Sequence, residues 1–540
     1  MRFDGSSMTV NLTDKGHLPH AGVSRRCGWA VAAVLLGMTV LRVIYAAQLD
    51  LRTDEAYYWT WSKENVLSFL DHPPMIAWFI RFGTAIFGDT NFGVRFAGLL
   101  AMLASQLVLA DIVRRVTRDW RAVLIALLML DAAVYYGLLM AKVAPDVALI
   151  PFALAMLWSL VRVAETGDGR WWLLAGVFGG LALLSKFTAV MLLPAVAAFA
   201  VVPRWRMRWL CSPYPWAAVV IALAIFAPVL IWNASHDWAS FRFQLVRATV
   251  APAFSWARIG EFLGLQFSLV GPALFPVTLS GVFMLAWRGY RRGEPVAILL
   301  STGVALPFLY FLWRSTTLRI GDTWPMFMWP IGFAAATINL WWLWRQPAMA
   351  RLARSSTRWA WTAIVSGLAI VVFTFCYYVA GSTPLLGRLD PGGAEAGYQQ
   401  VAARARAALK ATGATWIATM DYRTYAELKW WLRGDDVPVI QLNERARFLG
   451  FSDPGLTRIR GHEGLYVARD SDADNPLWKG TGAKRTTLGH VGRTWRGIVM
   501  GRYVLQTISN WTPDLTPAPD TPFYRVHPLA DAGARPGAAR

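Results

Sequence analysis

The sequence predicts a polytopic all-α membrane protein that carries a small α/β domain at its C-terminal end. Of its 540 residues, 56% are hydrophobic and only 16% are charged, whereas a soluble domain has about 25% charged residues. The apolar residues gather in blocks of roughly 15 to 25, the length at which a helix crosses a bilayer core. From residue 381 onward these blocks are replaced by shorter strand-like runs.

Eleven apolar segments are predicted to span the membrane. The block 171–202 is too long for one helix, and we expect Lys186 to divide it into two short spans. The first segment follows a polar, basic tail (1–27) and is predicted to remain as a signal anchor, since it is too long for a cleaved signal peptide. The eleven segments lie near 28–47, 92–113, 122–140, 146–163, 171–202 (two), 215–232, 260–286, 295–313, 324–344 and 359–380.

The positive charges predict the orientation of these segments. Arginine and lysine concentrate in "RRVTRDWR", "PRWRMRW", "WRGYRRG" and "WRQPAMARLARSSTR", the loops after segments two, six, eight and ten. With eleven spans these loops share one side with the N-terminal tail, and basic loops are cytoplasmic. Residues 48–91 and 381–540 then lie on the outer side of the membrane, in the periplasm or its equivalent. We attribute the net charge of +20 to basic residues that set the orientation of the spans and that also attract anionic lipid. Nucleic acid is therefore not an expected partner.

The C-terminal part, residues 381–540, is predicted to be a periplasmic α/β domain with a Pro-rich, disordered end. The runs "TWIATM", "VPVIQL", "GLYVAR" and "WRGIVMGRYVL" are strand-like, and "GYQQVAARARAALKAT" is helix-like. The three cysteines of the chain are far apart and the histidines are few. We therefore expect no metal site and no cofactor.

The outer loop 48–91 begins with "RTDEAYYWTWS". Asp54 and Glu55 are adjacent, so on a helix they point about 100° apart and do not form an acid–base pair with each other. One can face a cleft while the other orients it or the nearby backbone. Next to Tyr57 and Tyr58, a carboxylate has a low local dielectric that raises its basicity. The alternative is an interfacial acid beside an aromatic belt.

The same loop continues with "FLDHPPMIAWFIRFGTAIFG". Its apolar positions predict an amphipathic helix that lies in the membrane interface rather than spanning the membrane. Such an element would hold the polar groups of the loop at a fixed depth. The positions are Met75, Ile76, Phe79, Ile80, Phe82 and Ile86.

Ionisable residues also occur at the outer ends of later segments. Asp146 follows Pro145 in the first turn of a predicted helix, where capping is the alternative interpretation. Lys142 lies close by. Lys186 is costly in lipid unless it faces a polar cavity or an anionic ligand, and snorkelling is the alternative.

Two further outer loops are rich in polar and aromatic groups. They are 233–247, which contains His236, and 314–330, which contains Arg319. Asp131, inside the third segment, either pairs locally or lies at the edge of a cavity.

At these residues the chain resembles the GT-C glycosyltransferases. The similarity consists of the acidic pair after the first helix, the second acid at the start of the fourth, the "GLALLSK" segment and a late "WP" segment. Within that fold it resembles the protein O-mannosyltransferase clan, and most its bacterial branch of lipid A aminoarabinose and galacturonic acid transferases, over roughly residues 28–345. The resemblance implies transfer of a sugar from a polyprenyl-phosphate donor at the outer membrane face.

The resemblance also implies roles for individual residues. Asp54 matches the catalytic carboxylate with Glu55 as its neighbour, and Asp146 matches a second acid that shapes the site. Lys186 matches a lysine expected near the donor phosphate. "LDHPP" aligns with a stretch that reads "EKP" in the aminoarabinose transferases, so Asp71 stands for the Glu and His72 for the Lys. That is a departure, because an imidazole binds a phosphate strongly only when it is protonated.

The chemistry of such a transfer is consistent with these residue types. A lipid-phosphate sugar carries its own leaving group, so the enzyme needs a base for the acceptor hydroxyl and cations for the departing phosphate. Asp54 is the candidate base, and Lys186, His72 and Arg319 are candidates for phosphate stabilisation. One carboxylate without a second as nucleophile implies single displacement with inversion. The predicted substrate-binding set is Asp71, His72, Lys186, Lys142, Tyr57, Tyr58, His236 and Arg319.

The acceptor and the function class have alternatives. Lipid A or lipopolysaccharide is the leading acceptor class by resemblance, with membrane lipids as further partners, and a protein acceptor is the alternative. A secondary transporter would show midplane polar sites, broken helices and internal repeats. In this sequence the polar residues gather mostly on one face and no repeat is visible.

Overall fold

The computed structural model describes residues 21–249, 253–381, 383, 385–390, 392–452, 456–479 and 481–515. It confirms the predicted fold class, a helical membrane part followed by a small α/β domain. The predicted tail as far as residue 20 and the predicted disordered end from residue 516 lie outside the described residues. The division of the chain at residue 380 stays a prediction.

The membrane part consists of helices joined by short loops. In chain order they are α1 (Ala21–Gln48), α2 (Thr53–Ser62), α3 (Met75–Phe87), α4 (Asn91–Thr117), α5 (Trp120–Ala132), α6 (Val134–Gly137), α7 (Pro145–Thr166), α8 (Arg170–Ser185), α9 (Leu193–Ala200), α10 (Arg206–Leu210), α11 (Pro213–Ser235), α12 (Ala239–Thr249), α13 (Trp256–Val270), α14 (Leu274–Arg292), α15 (Pro295–Arg314), α16 (Trp329–Trp344) and α17 (Ala350–Val379).

Each predicted span corresponds to helical structure, but two of the spans are broken. By length and composition, seven helices of the described chain can cross a membrane, and the count rises to nine if each bent pair is one span. One pair bends by 90° at Ala133 and the other by 100° after Val270. Gly271 has φ +123°, which favours glycine, and Pro272 cannot donate a backbone hydrogen bond, so a continuous helix ends there. The block 171–202 forms two short apolar helices that meet at Lys186, as predicted.

A buried ion pair joins α1, α4 and α5 inside the membrane part. The Arg42 guanidinium donates to the Asp131 carboxylate and, through Nη1, to Gln106 Oε1 at 3.0 Å. Gln106 Nε2 in turn donates to Asp131 Oδ1 at 2.8 Å. Of the two alternatives for Asp131, the structure therefore shows local pairing, which satisfies charges that would be costly in lipid.

The predicted amphipathic helix is α3, whose 13 residues are too few to cross a bilayer. Ile76 and Ile80 are buried against the protein, whereas Phe82 and Ile86 are exposed. The helix packs closely on α4, because a Cβ atom at Gly83 would lie 2.1 Å from a backbone oxygen of α4. An apolar exposed face is consistent with the predicted position in the interface, which itself stays a prediction.

The α/β domain is built on a five-stranded sheet in the order β2-β1-β3-β5-β4. Strand β1 is parallel to β2 and β3, and β5 is antiparallel to β3 and β4. The β4–β5 turn has positive φ at Arg496 (48°) and Gly497 (81°), the pattern of a type I′ hairpin. The elements are α18 (Tyr398–Thr412), β1 (Trp416–Thr419), α19 (Tyr422–Trp431), β2 (Val439–Gln441), α20 (Leu456–Ile459), β3 (Gly464–Arg469), β4 (Lys484–Trp495) and β5 (Ile498–Ser509).

The α/β domain packs directly on the outer loop of the membrane part. Its helix α19 contacts α2, and ring centroids lie 5.2 Å apart for Trp59 and Trp430 and 5.0 Å apart for Tyr57 and Tyr422. Buried side chains of both parts form one apolar cluster. Side chains of the α/β domain are therefore brought beside Asp54.

Candidate active site

Glu55 joins the outer loop to the membrane helices. Its carboxylate accepts hydrogen bonds from Arg95 Nε and Nη2, both at 2.7 Å, and from the backbone N–H groups of Val143 (2.8 Å) and Arg52 (2.9 Å). Both Glu55 and Arg95 are buried. Four donors around one carboxylate fix the start of α2 relative to α4 and to the loop before α7. We therefore assign Glu55 a positioning role.

Asp54 has a different environment from its neighbour. It is half-buried, and the Tyr422 hydroxyl of the α/β domain donates to its Oδ1 at 3.3 Å. Arg52 forms an ion pair with Glu395, and Arg423 Nε donates to the Tyr422 hydroxyl at 3.4 Å. Asp54 thus lies between the membrane part and groups of the α/β domain.

The two adjacent carboxyl groups have opposite pKa shifts. Burial and the nearby Glu395 charge raise the pKa of Asp54, although Arg52 and Arg423 oppose the change. For Glu55 burial acts upward as well, but the Arg95 guanidinium outweighs it and lowers the pKa below its ordinary value. A raised pKa makes the Asp54 carboxylate the stronger base. This separation of roles is the pattern of an acid pair in which one member reacts.

The "LDHPP" segment is held by both parts of the chain. Asp71 Oδ2 accepts from the Tyr57 hydroxyl at 3.0 Å and from Arg447 Nη1 at 2.6 Å. The Asp71 backbone carbonyl accepts from Gln244 Nε2 at 2.9 Å. These contacts tie Asp71 to its surroundings and fix the position of His72, the next residue.

His72 and Lys186 line one cavity of about 240 Å³ near α15. The buried Arg314, at the end of α15, lines it as well. None of the described residues that line this cavity is acidic, so its polar wall is cationic. The remaining wall is mostly apolar and includes Val190 and Tyr310, which are 50% and 37% exposed on the outside of the membrane part. The cavity therefore combines cations with an opening towards lipid.

Asp146 and Lys186 form a buried ion pair. Lys186 Nζ donates to Asp146 Oδ2 at 2.7 Å, and Oδ1 of Asp146 is buried with no hydrogen-bond partner on another described residue. Asp146 is not among the residues that line the cavity. It holds the ammonium group in place at the cavity wall and compensates the burial of that charge.

Tyr58 lies beside His72, one of the residues that line this cavity. Its ring centroid lies 6.2 Å from that of His72. Burial raises the pKa of Tyr58 well above its ordinary value, and the negative charges of Asp54 and Asp71 raise it further. Tyr58 is therefore a buried side chain next to the cavity and within the electrostatic influence of both carboxylates.

Lys142 lies near the charged groups around Asp54 and does not line the cavity. Its ammonium group lies 5.8 Å from the ring centroids of Tyr45 and Tyr378. Burial, together with the positive charges of Arg52 and Arg95, lowers the pKa of Lys142 to about 8.

Of the eight predicted substrate-binding residues, His72 and Lys186 line the cavity and the other six do not. Two of these six, Arg319 and His236, have partners elsewhere. Arg319 is 47% exposed and pairs with Glu261 at 2.8 Å. His236 stacks on Trp232 with a centroid distance of 4.4 Å, and its Nδ1 lies 2.7 Å from the Trp232 carbonyl oxygen. We replace Arg319 by Arg314 in the candidate set, because Arg314, Leu318 and Ile320 line the cavity whereas Arg319 does not.

Several site residues carry no signal in the sequence. Tyr422, Arg423 and Arg447 come from the α/β domain, more than 300 residues after Asp54. Their positions depend on the docking of α19 on α2. In the described chain no group of three or more His, Cys, Asp or Glu side chains is arranged to hold a metal ion.

Comparison with known proteins places this site in a family context. The family model described as "Dolichyl-phosphate-mannose-protein mannosyltransferase" matches residues 71–232. A lipid A galacturonosyltransferase, RgtD, of Rhizobium johnstonii is 28% identical over 336 residues, which is 57% of this chain and 68% of the relative. An undecaprenyl phosphate-alpha-4-amino-4-deoxy-L-arabinose arabinosyl transferase of Pseudomonas paraeruginosa is 27% identical over 267 residues. That match spans 45% of this chain and under half, 46%, of the relative.

Solved structures share the fold over most of the chain. ArnT from Cupriavidus metallidurans bound to undecaprenyl phosphate superposes with a TM-score of 0.60 at 15% identity, over 89% of this chain and 98% of that one. The apo state of the same protein gives a TM-score of 0.59 at 16% identity with the same coverage. The α/β domain is thus part of the shared fold. These findings confirm the resemblance seen in the sequence: the chain has the GT-C fold and resembles the protein O-mannosyltransferase clan, in particular its bacterial branch of lipid A galacturonic acid and aminoarabinose transferases.

Proposed function

We propose that this protein is an inverting glycosyltransferase that moves a sugar from a polyprenyl-phosphate donor to lipid A or a related envelope lipid. The reaction takes place at the periplasmic face of a bacterial inner membrane, with residues 28–380 as the transferase domain and residues 381–540 as a periplasmic domain. The observation that supports this most directly is the cavity lined by Lys186, Arg314 and His72, whose apolar wall includes the outward-exposed side chains of Val190 and Tyr310.

In the proposed reaction the Asp54 carboxylate accepts the proton of the acceptor hydroxyl. The hydroxyl oxygen forms a bond to the anomeric carbon while the bond from that carbon to the phosphate oxygen breaks. The electron pair of the broken bond stays on the phosphate, which leaves as prenyl phosphate. A single displacement of this kind inverts the anomeric configuration. The analogy is with inverting glycosidases, in which no carboxylate acts as a nucleophile.

The cations of the cavity stabilise the charge that develops on the leaving phosphate. Lys186 is preorganised by Asp146, and Arg314 offers a planar fork of donors that suits phosphate oxygens. His72 adds a third positive charge when its ring is protonated. The apolar wall between Val190 and Tyr310 would take the first units of the prenyl chain.

The remaining candidate residues hold this arrangement in place. Glu55 fixes α2 through Arg95, and Asp71 fixes the "LDHPP" segment through Tyr57 and Arg447. Four of these five side chains are buried, and Arg447 is nearly so. Because Arg447 belongs to the α/β domain, we propose that docking of this domain completes the site.

The substrates are inferred from the relatives. One relative is named for galacturonic acid transfer to lipid A and another for an undecaprenyl phosphate-linked aminoarabinose, and a solved structure of the same fold binds undecaprenyl phosphate. We therefore propose an undecaprenyl-type phosphate donor and a lipid A acceptor for this chain.

The test uses purified full-length protein in proteoliposomes that contain lipid A. Undecaprenyl-phosphate sugars with radiolabelled galacturonic acid or aminoarabinose are supplied one at a time. The proposal predicts labelled lipid A together with release of undecaprenyl phosphate. Uptake of a solute without cleavage of any donor would instead indicate a transporter, and label on protein would indicate a protein acceptor.

A further inference from the structure

A second cavity, of about 290 Å³, lies at the opposite ends of the membrane helices. It is lined from the last turns of α4, α7, α14 and α16 and from the first turn of α15. On α7 the candidate site is at Asp146 and this cavity is at Glu165. Nineteen helical residues rise about 29 Å, so the cavity lies about one bilayer core away from the candidate active site.

The charges around this cavity are unbalanced. Its lining includes four arginines and two glutamates. Arg115 pairs with Glu165 and Arg288 pairs with Glu294, which uses both acids. No described carboxylate forms an ion pair with the other two arginines, Arg204 and Arg345. The cavity therefore has an excess of two positive charges.

Two buried donors in the lining have no acceptor. Arg288 is only 9% exposed, and while its Nε donates to Glu294 at 3.0 Å, its Nη1 has no hydrogen-bond partner in the described chain. The indole Nε1 of Trp341 is likewise buried without a partner there. A buried charged donor without an acceptor is destabilising, and a bound ligand or water that supplies the acceptor removes that cost. Both residues line the same cavity, so a ligand bound there is a candidate source of the acceptors that these donors lack.

The rest of the cavity favours an anion with an apolar tail. The 20-residue helix α15 begins there, and the first N–H groups of a helix are unpaired and carry partial positive charge. The wall also includes Val116, Leu300 and Ile338. A free phosphate would leave these apolar side chains without a partner, whereas a phospholipid would fill both halves of the cavity.

We propose that this cavity binds the head group of an anionic phospholipid. Its phosphate oxygens accept hydrogen bonds from Arg288 and Trp341, Arg204 and Arg345 lie at the rim, and an acyl chain packs against the apolar wall. The site is distinct from the sugar-transfer site and does not depend on the proposed reaction.

The test titrates full-length protein in detergent with short-chain phosphatidylglycerol, phosphatidylcholine or inorganic phosphate and counts bound molecules by native mass spectrometry. We expect phosphatidylglycerol to bind at least about tenfold more tightly than phosphatidylcholine. Both lipids carry the phosphate, but the choline ammonium cancels its charge and is repelled by Arg204 and Arg345. Arg288→Gln and Arg345→Gln should each weaken phosphatidylglycerol binding by about tenfold. Arg345 is exposed, so its variant should fold normally even if Arg288→Gln does not.

Arg291→Gln is the matched control, since Arg291 lies in the last turn of the same helix as Arg288 but packs over Trp287 and does not line the cavity. Its phosphatidylglycerol binding should equal that of the unmodified protein. Equal binding of the two lipids, or an unchanged affinity in Arg345→Gln and Arg288→Gln, would overturn the proposal. Binding of inorganic phosphate as tight as that of phosphatidylglycerol would overturn the lipid assignment, because the acyl chain would then contribute nothing.

Discussion

Replacing Glu55 by glutamine should affect the stability of the protein more than its catalytic rate. Replacing Asp54 by asparagine should affect the catalytic rate more than the stability. Glutamine keeps the shape of Glu55 but removes its charge and one of its two acceptor oxygens. Arg95 would then be a buried guanidinium that lacks its carboxylate, although backbone carbonyl oxygens of Ala46 and Leu49, each at 2.6 Å, still accept from its Nη1. Breaking a buried pair on one side typically costs about 3 to 5 kcal/mol.

The expected magnitude can be measured as a melting temperature. A loss of 1 kcal/mol lowers the melting temperature by about 2–4 °C in a chain of 150–250 residues, and the shift is smaller in a longer chain. For Glu55→Gln we therefore expect a decrease on the order of 5 °C. The 29 tryptophans provide an intrinsic fluorescence signal for melting in detergent. Asp54→Asn should melt within about 1 °C of the unmodified protein, since it changes only a half-buried group with one 3.3 Å hydrogen bond.

The two variants should also differ in turnover at a temperature where both remain folded. Glu55→Gln should keep part of its activity, because the base is still present in a displaced α2. If Glu55→Gln melts like the unmodified protein and yet has no turnover, the reasoning is wrong, and Glu55 rather than Asp54 takes the acceptor proton.

Three further predictions concern charge around the reacting groups. His72→Lys should remove the fall in donor turnover on the alkaline side of the pH profile, because a lysine keeps its charge where an imidazole loses its proton, and an unchanged alkaline fall would exclude His72 from the phosphate. Because Glu395 raises the pKa of Asp54, Glu395→Gln should move the acid limb of the kcat profile to lower pH, and a shift upward would contradict the assignment of Asp54 as the base. Arg314→Gln should raise the donor KM by about tenfold through loss of a charge-assisted hydrogen bond, whereas Arg319→Gln should leave it unchanged; the opposite result would restore Arg319 to the site.

Much of the membrane part could be predicted because its signal is local. An apolar run of about 20 residues reports a span by itself, and the lysine at position 186 marks the break between two short helices. The bend at Ala133 could not be predicted in the same way, because no proline or glycine marks it. Strand β4 was not predicted either, since its side chains are mostly exposed or half-exposed and show no apolar alternation.

The candidate site likewise contains residues that could be predicted from the local sequence and residues that could not. Asp54 and Asp146 were identified from their places next to apolar segments, and that information is contained within a few residues. The partners that give Asp54 and Glu55 different environments could not be identified from the sequence. Arg95 is 40 residues away from Glu55, and Tyr422 is 368 residues away from Asp54. Arg314 rather than Arg319 lines the cavity, although Leu318 and Ile320 on either side of Arg319 line it too. The direction of each side chain in this segment depends on the path of the backbone after α15 ends at residue 314, and the sequence does not report that path.

Single-turnover transfer by Asp54→Asn tests the central claim most directly. The control is Asp436→Asn, the same chemical change at an exposed acid of the α/β domain that pairs with Arg458. With saturating undecaprenyl-phosphate sugar and lipid A, a missing base should slow Asp54→Asn by about 10² to 10⁴, while donor binding stays intact and Asp436→Asn keeps full activity. Transfer by Asp54→Asn at more than about a tenth of the unmodified rate would contradict the claim, because a general base contributes far more than that.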